Sequence, residues 1–142
     1  MSNMNNMVVS KTVAQWLRDM GHNEFCDCYL HTDNDREDDY EMWTSNQHCN
    51  GDLPDSAERI AAPYVSDALL WLMQFKGIAI NVSPETYILS ESGFIYSVTL
   101  LGSKEPVIAI SFDYQDALYQ ALDKLYEKYQ GLEAFYYLPP TN

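Results

Sequence analysis

All three cysteines (Cys26, Cys28, Cys49) and all three histidines (His22, His31, His48) fall between positions 22 and 49. Thiolate and imidazole are the usual ligands of structural zinc, so Cys26-x-Cys28-x-x-His31 followed by His48-Cys49 offers a metal-binding reading. On an extended strand Cys26 and Cys28 point to the same side, which would let both reach one ion. Zinc fingers usually space paired cysteines by about two to four residues, and a C-x-C pair departs from that pattern. Cys26, Cys28, His31 and Cys49 thus stand as metal candidates beside the plainer expectation of no metal and no cofactor, with three thiols in a reducing compartment. An odd cysteine count without a visible signal peptide argues against a disulfide framework.

The carboxylates give a second pattern. Asp33-x-Asp35-x-Glu37-x-Asp39 begins like a calcium loop, but an EF-hand needs glycine at its sixth position and glutamate at its twelfth. Asp38 and Thr44 stand there instead, so the calcium reading is rejected. No G-x-S-x-G, glycine-rich phosphate loop or H-E-x-x-H occurs. His48 and Cys49 are adjacent, and neighbouring side chains rarely face each other as a nucleophile and its base must. The sequence therefore predicts a protein that is not an enzyme.

Charge narrows the function classes further. Twenty-one acids against eight bases give a net charge of −13, which argues against direct binding of nucleic acid. Eleven of the acids and only two bases, Arg36 and Arg59, lie between Asn23 and Ile60. That segment is expected to be a long acidic excursion, with short strands at 26–32 and 40–43. It is either functional or a solvated loop. The longest strongly apolar run, Ala68 to Met73, is far short of the roughly 20 residues of a membrane span, so no membrane is expected. A single, soluble, cytoplasmic domain over residues 1–142 is the expected organisation.

Three helices and a mostly antiparallel sheet of about four strands must position these groups, giving an α+β fold. Ser10 is placed to cap a first helix running to about Met20, with Val13, Ala14, Leu17 and Met20 on one face and Gly21 ending it. A second helix is expected from near Ser66 to Gly77, apolar all round and so nearly buried. Strands follow at 78–82, 87–89, 94–101 and 107–112. Ser83-Pro84, Ser92-Gly93 and Gly102-Ser103 are the tight connections between them.

Asp113 is placed to cap the third helix, which reaches about Gln130 and stops at Gly131. Tyr114, Leu118, Ala121, Leu122, Leu125 and Tyr129 form its apolar stripe. Asp113, Asp116, Asp123 and Glu127 share the opposite face and span roughly 20 Å at about 1.5 Å per residue. Phosphates along a nucleic-acid strand cover a comparable reach. A solvent-facing acidic stripe is also common on helices packed against a sheet, and Lys124 and Lys128 partly neutralise this one. Eleven tyrosines complete the unusual features. The aromatic, proline-containing tail at 131–142 presents Tyr136 and Tyr137 either to the core or to a partner.

Three stretches resemble small accessory proteins of phages and prophages of Bacteroidetes-type bacteria. They are Gly-His-Asn-Glu-Phe-Cys at 21–26, Ala-Pro-Tyr-Val-Ser-Asp-Ala-Leu-Leu-Trp-Leu at 62–72, and the 112–125 run that closes on Ala-Leu-Asp-Lys-Leu. Tyr64 stands where those proteins tend to have threonine, and the acidic insertion is unusually long. The resemblance implies an accessory gene of a mobile element and carries no catalytic residue or cofactor with it. Together with the charge it leads to the expectation of an acidic inhibitor, a nucleic-acid mimic that binds a host defence protein with a basic surface. Asp113, Asp116, Asp123, Glu127, Asp33, Asp35, Asp38 and Asp39 are the expected contacts, with Tyr136 and Tyr137 as anchors. Two other readings remain open: a binder of a small molecule or nucleotide signal, disfavoured by having only eight bases, and a structural adaptor that forms a homo-oligomer.

Overall fold

Helix α1 (Lys11–Asp19) begins at the expected cap, the Ser10 hydroxyl accepting the Val13 N–H at 3.3 Å. It ends in a Schellman turn: Gly21, at φ +99°, donates to the Arg18 carbonyl, and His22 donates back to that of Leu17. The computed structural model describes residues 7–33, 36, 39–44, 46–53, 58–86, 94–104 and 106–129. Within these it shows an α+β fold of three helices and two three-stranded antiparallel sheets, where one sheet of about four strands was expected. The chain divides into two compact units, residues 1–68 and 69–142, with the division falling inside the second helix.

In the first unit, β1 (Cys28–His31) lies between β2 (Tyr40–Met42) and β3 (Arg59–Ala62). The expected strands at 26–32 and 40–43 are present in shortened form, and β3 is an addition. The acidic excursion thus contributes β1, β2 and the start of β3 to one sheet, with the rest of its described residues outside strands apart from the 3-10 turn. Alternation along the strands divides its residues. Cys28, Leu30, Ile60 and Ala62 are buried on one face, and α1 packs against β3 through Val13, Leu17 and neighbours. A single 3-10 turn at Asn50–Asp52 closes the unit. There Asn50 donates to the His22 carbonyl and accepts the Ala61 N–H, while Gly51 N–H meets Asn23 Oδ1 at 2.6 Å. A Cβ at Gly51 would lie 2.8 Å from that oxygen, so a larger residue there would have to displace the Asn23 side chain.

The second helix, α2 (Val65–Lys76), has the expected extent but not the expected burial. Val65, Ala68 and Leu72 are sealed, while Leu70, Met73 and Phe75 are 48%, 41% and 47% exposed. Packing partners rather than composition decide which side of a helix is covered.

The second unit orders its strands β4 (Ile80–Thr86), β5 (Phe94–Leu100), β6 (Val107–Ser111). Ser83-Pro84 is not a connection: Pro84 sits inside β4, paired with Tyr96. The proline is tolerated because β4 is an outer strand of this sheet and needs no second hydrogen-bonding edge. Gly102-Ser103 does form a turn, with Gly102 at φ +83° and Ser103 N–H donating to the Leu100 carbonyl. The 87–89 strand and Ser92-Gly93 lie outside the described residues. The pairing of β5 with β6 shifts by one residue beside Val98, a bulge that leaves Ile108 without a direct partner. Helix α3 (Tyr114–Tyr129) covers this sheet through Ala117, Leu118, Ala121, Leu122 and Leu125, which are sealed with Val98, Leu100 and Ala109. Tyr114, expected in the buried stripe, is 45% exposed and meets Tyr96 of the sheet edge-on, ring centroids 5.4 Å apart.

Candidate functional site

The residues with the richest chemistry share the outward face of the β2–β1–β3 sheet. Opposite pairing of Tyr29 with Glu41, and of His31 with Arg59, sets four side chains on the face that Cys28 and Leu30 leave. Trp43 joins them because its N–H continues the ladder to the Asp27 carbonyl at 2.9 Å. Tyr29 and Trp43 meet with ring centroids 4.3 Å apart, and His48 stands edge-on to Trp43 at 4.5 Å. The Arg59 guanidinium lies over both rings, 5.4 Å from the Tyr29 centroid and 5.7 Å from that of Trp43. This is cation–π geometry.

Polar contacts fix the rim. Glu41 accepts the Tyr29 hydroxyl at 2.9 Å and pairs with His31 Nε2 at 3.0 Å. Those contacts hold the Glu41 carboxyl below its ordinary range, and the bond to Glu41 pushes the Tyr29 hydroxyl up. Both shifts favour the resting forms, a carboxylate and a neutral phenol. His48 Nδ1 lies 3.5 Å from Asp52, and Asp27 is held by Gln47 and by the Tyr64 hydroxyl. The Trp43 indole N–H is buried and meets no acceptor among the described residues. The face is suited to binding cationic and planar groups.

The sulfur and imidazole candidates are partly gathered. Cys26 and His48 pair through their backbones, N–H to carbonyl, which joins the two arms seen in the sequence. Cys26, Cys28 and Cys49 are all buried free thiols. Burial, reinforced by Asp67 and neighbouring groups, pushes the Cys26 thiol up to about 12, and its Sγ donates to the Glu24 carbonyl. Cys28 is also raised, chiefly by burial, and lies 3.3 Å from Met42 Sδ. His31 sits on the opposite face of β1 from Cys28, engaged by Glu41. Among the described residues no three His, Cys, Asp or Glu groups are placed to hold a metal ion.

The acids of α3 have local work as well as charge. Asp113 caps the helix by accepting the Asp116 N–H at 2.9 Å. Asp116 accepts from the Ser111 hydroxyl at 2.8 Å and from Gln120 at 2.7 Å. Asp123 is half-buried, and Glu127 pairs with Lys124 at 3.7 Å. In the first unit Asp33 is exposed and Asp39 lies 4.0 Å from Arg36. Asp35, Asp38, Tyr136 and Tyr137 lie outside the described residues.

Tyr29, Trp43 and Arg59 are the members of the outward face that the sequence reading did not single out. The signal for the first two was present, since residues 29, 31, 41 and 43 must share a face once both strands are written down. Among the described residues no helix is long and apolar enough to cross a membrane. The chain matches no family model, no curated protein and no solved structure.

Proposed function

We propose that the protein is a non-enzymatic binding protein whose acidic surface engages a basic, nucleic-acid-binding partner protein. The resemblance to phage accessory proteins supports a host defence component as that partner. The observation that carries this reading is the Arg59 guanidinium seated over Tyr29 and Trp43 beside Glu41. The chain already holds one guanidinium in this place, so the face is chemically matched to arginine side chains. The net charge of −13 adds a long-range attraction that speeds encounter with a basic partner more than it tightens the final complex.

The test is binding of the full chain to an oligo-arginine peptide and to an oligo-lysine peptide of equal length, across a series of salt concentrations. Arginine should bind more tightly than lysine, because its planar group stacks on aromatic rings. Association should slow as salt rises. Changing Asp113, Asp116, Asp123 and Glu127 to Asn or Gln should slow association without unfolding the protein, and so should Glu41→Gln with Asp33→Asn and Asp39→Asn. Equal, salt-insensitive behaviour of both peptides, or no change in either variant set, would remove the basis for this function.

A further inference from the structure

Eight bases serve the whole chain, and three of them, Lys104, Lys124 and Lys128, meet at one place in the second unit. Two adjoining hollows of about 410 and 370 Å3 open between the β5–β6 turn and the end of α3, sharing Leu100, Ser103 and Lys128. Each is within the roughly 300–1,000 Å3 range of small-molecule sites. Lys104 and Lys128 border the larger hollow, together with Tyr129, and Lys124 borders the smaller.

Lysine near a helix C-terminus answers to the helix dipole, which accounts for Lys128 and in part for Lys124. It does not account for Lys104, which arrives from the turn on the other wall. Among the described residues neither Lys104 nor Lys128 has a carboxylate at ion-pairing distance, whereas Lys124 is matched by Glu127. In so acidic a chain, two ammonium groups that border one hollow, with no carboxylate at ion-pairing distance among the described residues and Lys128 Nζ 5.8 Å from the Tyr129 ring centroid, favour an anion there. The apolar floor at Leu100 and the tyrosine wall suit a planar organic group, and the ammonium groups suit its phosphate.

We infer that the cleft between the β5–β6 turn and the end of α3 binds a phosphorylated aromatic small molecule of the nucleotide class, with Lys104 and Lys128 on the phosphate and Tyr129 beside the ring. The cleft is distinct in residues and in charge from the outward face of the first unit. No bond is made or broken; the site only holds its ligand.

The experiment is an NMR titration of the full chain at low salt with adenosine monophosphate, adenosine and inorganic phosphate as separate probes. The monophosphate should give saturable shifts at the amides of Gly102, Ser103 and Lys104 and at those of Lys124–Tyr129. Lys104→Gln with Lys128→Gln should weaken it at least about tenfold while the melting temperature stays put. Both lysines project from the surface, so the fold should tolerate the change. Glu127→Gln should tighten binding by releasing Lys124. No saturation by about 10 mM, shifts indifferent to the lysine variant, or adenosine binding as well as its monophosphate would each overturn the assignment. Inorganic phosphate binding as tightly as the monophosphate would overturn the nucleotide class, because the ring would then contribute nothing.

Discussion

Protonating His22 should destabilise the protein from within. Its side chain is only 3% exposed, and burial lowers its pKa to about 4 from the ordinary 6.5. The backbone gives it no freedom to escape: its N–H is tied to the Leu17 carbonyl at 2.9 Å, and its carbonyl accepts from Asn50 at 3.1 Å. Between pH 6.5 and about 4 the unfolded chain carries a proton at this residue and the folded chain does not. Stability must therefore rise with pH across that window. The contribution is fully present above the unfolded value and is lost as pH falls toward the folded one. At about 1.4 kcal/mol for each pH unit between 6.5 and about 4, the effect is worth at most about 3.5 kcal/mol, a large share of a small protein's margin. Chemical denaturation from pH 7.5 down to pH 4 should be run on the wild type and on His22→Leu. The carboxylates also titrate in this range, but they are common to both proteins and largely cancel in the difference. The wild type should lose stability more steeply by up to one proton per molecule, and the His22 ring should show no NMR titration until well below pH 6. Parallel slopes, or a His22 midpoint near 6.5, would refute the argument from burial.

Other outcomes follow from the packing and the caps. Leu122→Ala removes a sealed side chain from the α3–sheet core and should cost about 2–5 kcal/mol in denaturation, whereas a near-neutral result would place that face outside the core. Asp113→Ala should cost about 1 kcal/mol by removing the α3 cap, while Asp113→Asn should be nearly neutral because asparagine caps as well as aspartate. The thermal midpoint should be unchanged by a strong chelator, with no stoichiometric zinc in elemental analysis; one zinc per chain, lost with folding on Cys26→Ser and Cys28→Ser, would reverse this. Cys26, held protonated by burial, should react with alkylating reagents only after unfolding.

The parts of the fold that the sequence made legible are those whose signals are local. Ser10 and Asp113 are caps, Gly21 and Gly102 occupy left-handed positions, and the α3 stripe repeats at helical spacing. What it hid depends on distant pairing. Strand β3 lies next to β1 through some thirty residues of intervening chain, so Arg59 could not be read onto the face of Tyr29. Pro84 looked like a break because its missing N–H matters only where a second strand would claim it. Helix α2 looked buried because composition says how apolar a helix is but not how many neighbours cover it.

The same limit explains why charge counting alone misplaces the chemistry. A total of −13 describes the far field that a partner meets first, yet what a surface finally holds depends on which few groups lie within a few ångströms. The scarce bases are therefore more informative here than the abundant acids. Arg59 sits on an aromatic pair beside Glu41, the arrangement on which the proposed recognition of arginine rests. Lys104 and Lys128 border a hollow with no carboxylate at ion-pairing distance among the described residues, the arrangement on which the proposed anion site rests. These two arrangements respond in opposite directions to one substitution. Removing the Glu127 charge reduces the field that draws a basic peptide and frees Lys124 for a phosphate. A variant that slows oligo-arginine association while tightening adenosine monophosphate is the outcome that the lost charge of Glu127 requires. Movement of both in the same direction would mean that Glu127 acts through the fold of α3 and not through its charge.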